Sequence, residues 1–180
     1  MEITNLINQS KNEVNYILDN LNKEDVLYLV NIIRNKQIIY FSGVGKSESI
    51  AIHICRILKS IGFKCFDLNI LNSLHGDIGT ITENDALILF SKSGNTDEII
   101  SKIENFKLKK CLIIGISNNL NNKFDKYCDK SIKIPLNQEL ELYNNKIPTN
   151  SSVSILLFFN IVISLLANNI SINEYSINHS

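Results

Sequence analysis

Five consecutive apolar residues, Ala86-Leu87-Ile88-Leu89-Phe90, broken at once by Ser91-Lys92-Ser93-Gly94, set the tightest limit on what this chain can fold into. A short uninterrupted apolar run closed by turn residues reads as a strand buried on both faces. Comparable runs cover residues 37–41, 64–68, 111–116 and 131–134. Between them the apolar period turns helical: Ile50, Ala51, Ile54, Cys55, Ile57 and Leu58 closing at Gly62, then Ile99, Ile100, Ile103 and Phe106, and finally residues 152–166. Helices are also expected over 4–20 and 25–33, with a short helix or turn at 124–128. Strands that alternate with helices predict an α/β fold: a parallel sheet covered on both faces. The expected organisation is a single domain over 1–180, with N-terminal helices in 1–35, an αβα core in 36–168 and a C-terminal tail in 169–180.

The bulk properties agree with one packed unit. Apolar residues make up 44% of the 180, enough to bury a core and too many for a disordered chain. Eighteen basic residues balance eighteen acidic ones with no basic block, which argues against a nucleic-acid or anionic-membrane surface. Cys55, Cys65 and Cys111 lie within apolar runs and, with Cys128, form no C-x-x-C pair, so buried inert thiols are expected. The first residues lack the pattern of a secretory signal, which makes a cytoplasmic setting the expectation. Residues 153–167 are apolar but shorter than the ~20 a membrane span needs, and they carry Asn160 and Ser164. A core or subunit-contact helix is expected there, and no membrane partner.

Two loops stand out because each follows a strand and opens a helix: Ser42-Gly43-Val44-Gly45-Lys46-Ser47 and Ser91-Lys92-Ser93-Gly94-Asn95-Thr96. In an open parallel sheet, ligands bind at the carboxyl ends of strands. Glycines such as Gly45 and Gly94 let the backbone approach a ligand, and helix-start amides with several hydroxyls make a phosphate site. Nucleotide binding fails on spacing. A Walker A loop would need glycine at Tyr40, and a dinucleotide fingerprint would need one at Glu48. The alternative reading of the second loop is a plain helix cap, with Thr96 or Asn95 as N-cap and Asp97 and Glu98 favouring the dipole. Two such loops at two strand ends are harder to explain as caps.

Four stretches in order resemble the SIS (sugar isomerase) domain family and, within it, arabinose 5-phosphate isomerases. They are Gly43-Val44-Gly45-Lys46-Ser47, Leu74-His75-Gly76-Asp77-Ile78-Gly79, Ser91 to Glu98, and Pro148-Thr149-Asn150-Ser151-Ser152; a fifth, Tyr175-Ser176-Ile177-Asn178-His179, is similar to the family's terminal segment. The resemblance implies a three-layer αβα sandwich with a five-stranded parallel sheet, of flavodoxin-like or Rossmann-like type. It implies interconversion of D-ribulose 5-phosphate and D-arabinose 5-phosphate on the way to Kdo-type sugars, in a dimer or tetramer. No cofactor and no metal is expected. Many relatives carry CBS domains after this unit, and none follows here before Ser180. A 6-phospho-3-hexuloisomerase-like enzyme and a non-catalytic sugar-phosphate-binding regulatory module are the alternatives.

Isomerisation needs a base, a group that offsets charge on an enediolate and a phosphate anchor. By resemblance, Ser47, Ser91, Ser93 and Thr96 form the anchor, with Gly45, Gly94, Thr149 and Ser151 as further binding positions. Lys46 offsets charge, and Glu98, on the first turn of the helix that starts the anchor, matches a catalytic glutamate. His75 and His179 are candidates for ring opening and oxygen-to-oxygen proton transfer, with His179 acting in a neighbouring subunit's site. His53, among Ile50, Ile54 and Ile57, is expected to be structural. A second family glutamate falls on Leu140 when counted back from Pro148; Glu139 and Glu141 flank it, and Glu141 is favoured as an additional acid/base. Asn69 replaces a family histidine linked to metals, and Glu48 replaces a glycine, which is expected to alter the charge of the phosphate pocket.

Overall fold

The computed structural model describes residues 2–140, 147–168 and 172–177, the side chains of 172–174 excepted. Two helices, α1 (Ile3–Asp19) and α2 (Lys23–Asn35), precede the sheet. Asn22 starts α2 by accepting the amides of Glu24 and Asp25, a side-chain cap that fixes where the helix begins. Then come β1 (Ile39–Gly43), α3 (Lys46–Ser60), β2 (Cys65–Asp67) and two 3₁₀ turns, Ser73–His75 and Asp77–Thr80. They are followed by β3 (Ala86–Phe90), α4 (Asp97–Lys107), β4 (Leu112–Ser117), α5 (Phe124–Tyr127), β5 (Lys130–Lys133), α6 (Asn150–Ala167) and α7 (Ile172–Ile177).

All strand pairs are parallel, in the order β2-β1-β3-β4-β5. The expected five-stranded α/β sandwich is therefore present, in the flavodoxin-like order whose switch point lies between β1 and β3. Side chains leave each strand alternately. Ile39, Phe41, Ala86, Ile88, Phe90, Ile114 and Ile116 pack towards α2, α3 and α6. Tyr40, Leu87, Leu89 and Ile113 pack towards α4 and α5. That two-sided burial explains why β3 shows no polar alternation: all five of its residues are 0% exposed. On the first face, the Phe159 ring meets Phe41, Phe90 and Phe158 at centroid distances of 6.2, 5.5 and 5.7 Å. Truncating such a residue costs roughly 3–5 kcal/mol.

Helix α6 is the apolar stretch that could suggest a membrane span by length and composition. Here it is a core helix, burying Ile155, Phe158, Phe159, Val162 and Leu166. Cys55, Cys65 and Cys111 are buried, and burial pushes the Cys111 thiol up to about 11. The 3₁₀ turns and α7 are elements the periodicity did not forecast; both are too short for a helical repeat to register.

Candidate functional site

The loops after β1 and β3 emerge side by side at the switch point, because β1 and β3 are hydrogen-bonded neighbours with Gly43 opposite Phe90. The first loop ends on Gly45, whose φ of 61° and ψ of −121° suit a glycine and little else. Gly45 stands at the N-cap of α3 and offers no side-chain cap, so the first amides of that helix are open to an anion. Lys46 is the first residue of α3 and exposed, with Ser47 half-buried beside it.

The second loop is closed by its own hydroxyls. Ser91 is buried, and its Oγ lies 2.7 Å from Thr96 Oγ1 and 3.5 Å from Ser93 Oγ while accepting the Gly94 amide at 3.0 Å. Ser93 Oγ accepts the Asn95 amide at 3.1 Å. Gly94 has a φ of 63°, and a Cβ there would lie 2.7 Å from the Asn122 side chain. Thr96 does occupy the N-cap of α4, but its hydroxyl makes no cap bond; it is turned to Ser91 instead. The plain-cap reading of this loop is therefore the weaker one.

A third wall comes from the start of α6. A cavity of about 330 Å³ is lined by Gly45, Lys46 and Ser47, by Lys92, and by Pro148, Ser151 and Ser152, among others. Two helix N-termini and two ammonium groups thus face one space, an electrostatic setting for an anion. Behind Lys92 lies Glu139. Its side chain is 1% exposed, and its Oε1 is 2.7 Å from Lys92 Nζ. Its Oε2 accepts the Thr149 amide at 2.8 Å, the Thr149 hydroxyl at 3.1 Å and the Ser151 amide at 3.0 Å. Burial alone would raise this carboxyl's pKa. The Lys92 ammonium, the Ser151 hydroxyl and amide and the Thr149 amide outweigh it and hold the pKa at about 2. Glu139 is a fixed anion at neutral pH.

Of the residues expected from sequence, Gly45, Lys46, Ser47 and Ser151 line this cavity. Ser91, Ser93, Gly94 and Thr96 form the hydroxyl loop from which Lys92 projects, and Thr149 holds Glu139. Glu98 sits exposed on the first turn of α4, and His75 is exposed at the end of the first 3₁₀ turn; neither lines the cavity. Glu141 and His179 lie outside the described residues. Glu48 does not line the cavity either; Asn69 Nδ2 donates to its Oε1 at 3.3 Å. His53, on α3, is not among the cavity's lining residues. Among the described residues, no group of three or more His, Cys, Asp or Glu is placed to hold a metal ion.

The sequence reading missed Lys92 and gave Glu139 second place. Lys92 carried a usable signal: in the motif Ser91-Lys92-Ser93-Gly94 its side chain follows a strand end directly into the ligand crevice. Glu139 carried none, because its partners lie 10 and 12 residues further on and on another loop.

A parallel sheet with an anion-receptive cleft at its switch point defines a small-ligand-binding α/β domain of the doubly wound class. More narrowly, the chain belongs to the SIS domain family, whose profile matches residues 32–165. Among curated proteins, an uncharacterised protein of Chlamydia muridarum is 35% identical over 141 residues, 77% of this chain and 42% of its own length. The arabinose 5-phosphate isomerase KpsF of Escherichia coli O6:H1 is 38% identical over 111 residues, 62% of this chain and 34% of its own. The chain thus spans less than half the length of these curated relatives. A solved structure, E. coli CFT073 c3406 in complex with arabinose 5-phosphate, matches over 100% of both chains with a TM-score of 0.87 and 25% identity.

Proposed function

We propose that this chain is an aldose–ketose isomerase that interconverts D-ribulose 5-phosphate and D-arabinose 5-phosphate through an enediol. The observation that carries the reading is the cavity itself: Lys46 and Lys92, the Ser47 and Ser151 positions and the starts of α3 and α6 face one space backed by the ionised Glu139. The likeness to KpsF and to the arabinose 5-phosphate complex of c3406 supports the choice of sugar.

In this reading the phosphate is gripped by Ser47 and by the Ser91, Ser93 and Thr96 hydroxyls, with Gly45 and Gly94 letting the backbone close in. Anchoring the tail converts binding into positioning of C1 and C2. Lys46 offsets charge as the enediolate forms. A carboxylate, Glu98 or Glu141, takes the proton from carbon, while Glu139, kept ionised by Lys92 and its amide donors, holds the Lys92 ammonium at the edge of the cavity. His75 and His179 are assigned the oxygen-to-oxygen proton shuttle, His179 from a neighbouring subunit. Homo-oligomerisation, a cytoplasmic setting and a place in Kdo-type sugar synthesis are parts of the same proposal.

One observation favours a second reading, sugar-phosphate binding without turnover: among the described residues, the cavity lining has cations and hydroxyls but neither carboxylate nor imidazole. Incubating the protein with ribulose 5-phosphate in D₂O and following C2 by NMR separates the two. Deuterium at C2 together with arabinose 5-phosphate supports the isomerase. Saturable binding with no exchange and no product would leave the binding module standing.

A further inference from the structure

Helix α1 holds a residue that packing does not explain. Glu13 is 3% exposed, yet a buried carboxylate costs several kcal/mol unless its oxygens are satisfied. An aliphatic residue there would add to the core at no such cost, as Ile17 one turn on already does. The Glu13 oxygens accept main-chain N–H groups from a distant part of the chain: Asn137 at 2.7 Å and Gln138 at 3.4 Å, which lie 124 and 125 positions away.

Those two amides belong to a strap that follows β5 over residues 134–140, and the next residue in it is Glu139. Among the described residues the strap lies in no strand. It is fastened on its other side by Asn150 Nδ2, which donates to the Gln138 carbonyl at 2.9 Å, and by Thr149 Oγ1, which accepts the Leu140 amide at 2.7 Å. Glu139 then reaches Lys92, Thr149 and Ser151 from the middle of the strap. Asn150, Thr149 and Ser151 all stand at the start of α6, so they fix the strap relative to that helix. Glu13 grips the strap's main chain from a different element, α1, which packs against α6.

We propose that Glu13 is a positioning residue for the site: from α1 it sets the strap so that Glu139 meets Lys92 and the first amides of α6. It does not touch the cavity and acts through Glu139. The kinetic arm of the test rests on the isomerase reading above; the exchange arm does not.

The test compares the full chain with Glu13→Ala, Glu13→Gln and Ile17→Ala. Ile17 is buried on the same helix and its side chain has no hydrogen-bonding group, so it reports what loosening α1 alone does. The first readout is amide hydrogen exchange at Thr149 and Ser151, the donors to Glu139. In Glu13→Ala their exchange is expected to quicken about tenfold or more relative to the rest of α6. Glu13→Gln, whose side-chain oxygen still accepts from Asn137, should quicken it about threefold. Ile17→Ala should lower Tm without this local signature. The second readout is turnover of ribulose 5-phosphate: kcat is expected to fall about tenfold or more in Glu13→Ala with KM within about twofold, and Glu13→Gln should recover most of the loss.

Unchanged exchange at Thr149 and Ser151 in Glu13→Ala would overturn the proposal, and so would an equal local effect in Ile17→Ala. Should Glu13→Ala not fold, the same comparison is made between Glu13→Gln and Ile17→Ala, with the same two outcomes counting against the proposal. A wild-type protein that fails to turn over ribulose 5-phosphate refutes the isomerase reading, while the exchange arm still decides the role of Glu13.

Discussion

The two loops at the switch point occupy equivalent places and are built in opposite ways. The β1–α3 loop is held by backbone: Gly45 turns the chain into α3, and the cavity receives a lysine ammonium from the helix's first residue. The β3–α4 loop is held by side chains. Its three hydroxyls bond within the loop, and it is braced from the β4 side, where Asn95 Oδ1 accepts the Lys123 amide at 2.8 Å and Asn119 Nδ2 donates to the Ser93 carbonyl at 3.2 Å. The first loop delivers charge on a flexible stem; the second delivers a prearranged hydroxyl frame. An anion site gains from both, since a fixed frame sets geometry and a movable cation can follow charge as it shifts during reaction.

If that contrast is right, removing the charge should hurt chemistry and spare the fold. On the proposed isomerase reading, Lys46→Met is expected to lower kcat/KM for ribulose 5-phosphate by about 10²–10³-fold, with stability within about 0.5 kcal/mol of wild type because Lys46 is exposed. A comparable loss in Tm would break the contrast.

The second loop's charge, Lys92, is tied to Glu139, so the next effect lies in stability and has a definite sign. The Glu139 carboxyl sits at about 2 in the fold against an ordinary value of 4.5. A depressed carboxylate stabilises the folded state above its ordinary value, and the contribution drains away as pH falls from there towards the folded value. Glu139→Gln should therefore cost about 3 kcal/mol at neutral pH. Urea titrations at neutral and acid pH should show the gap to wild type closing on the acid side.

Smaller still is the cost of disturbing the frame's backbone. Gly94→Ala places a Cβ 2.7 Å from Asn122 at a φ of 63° and should cost about 2 kcal/mol in urea titration. Smallest in stability is Ser91→Ala, about 1 kcal/mol for the lost hydroxyl bonds. It should raise KM for sugar phosphate more than it lowers kcat, the reverse of Lys46→Met; steady-state kinetics at saturating substrate checks the split.

The contrast also marks what could be read from sequence. β3 was legible to the residue because both its faces are buried, so nothing polar blurs its ends. β1 runs on through Ser42 and Gly43, beyond the apolar run, because the buried Ser42 hydroxyl donates to the Leu68 carbonyl at 2.6 Å, a partner on another strand's end that no window along the chain contains. The β1–α3 loop was legible because glycine and a helix start are local signals. Glu139 was not, since counting back from Pro148 cannot tell that its carboxylate turns inward. Its burial depends on amides supplied by α6 and on a lysine from the β3 loop. Glu98 and His75 were legible as residue types, but the fold leaves both outside the cavity.

The start of α6 supplies the third wall of the cavity, and that has a consequence for the newborn chain. Ser151 leaves the ribosome about a hundred residues after Gly45, roughly 5–20 s later at ordinary elongation rates. Until then β1 and β3 can pair and both loops can form, yet the cavity has no closing side and Glu139 has no amides to hold it. An anion that needs all three walls can therefore be held only once the start of α6 is in place, and such a ligand in the surrounding solution would favour that fold over every earlier one.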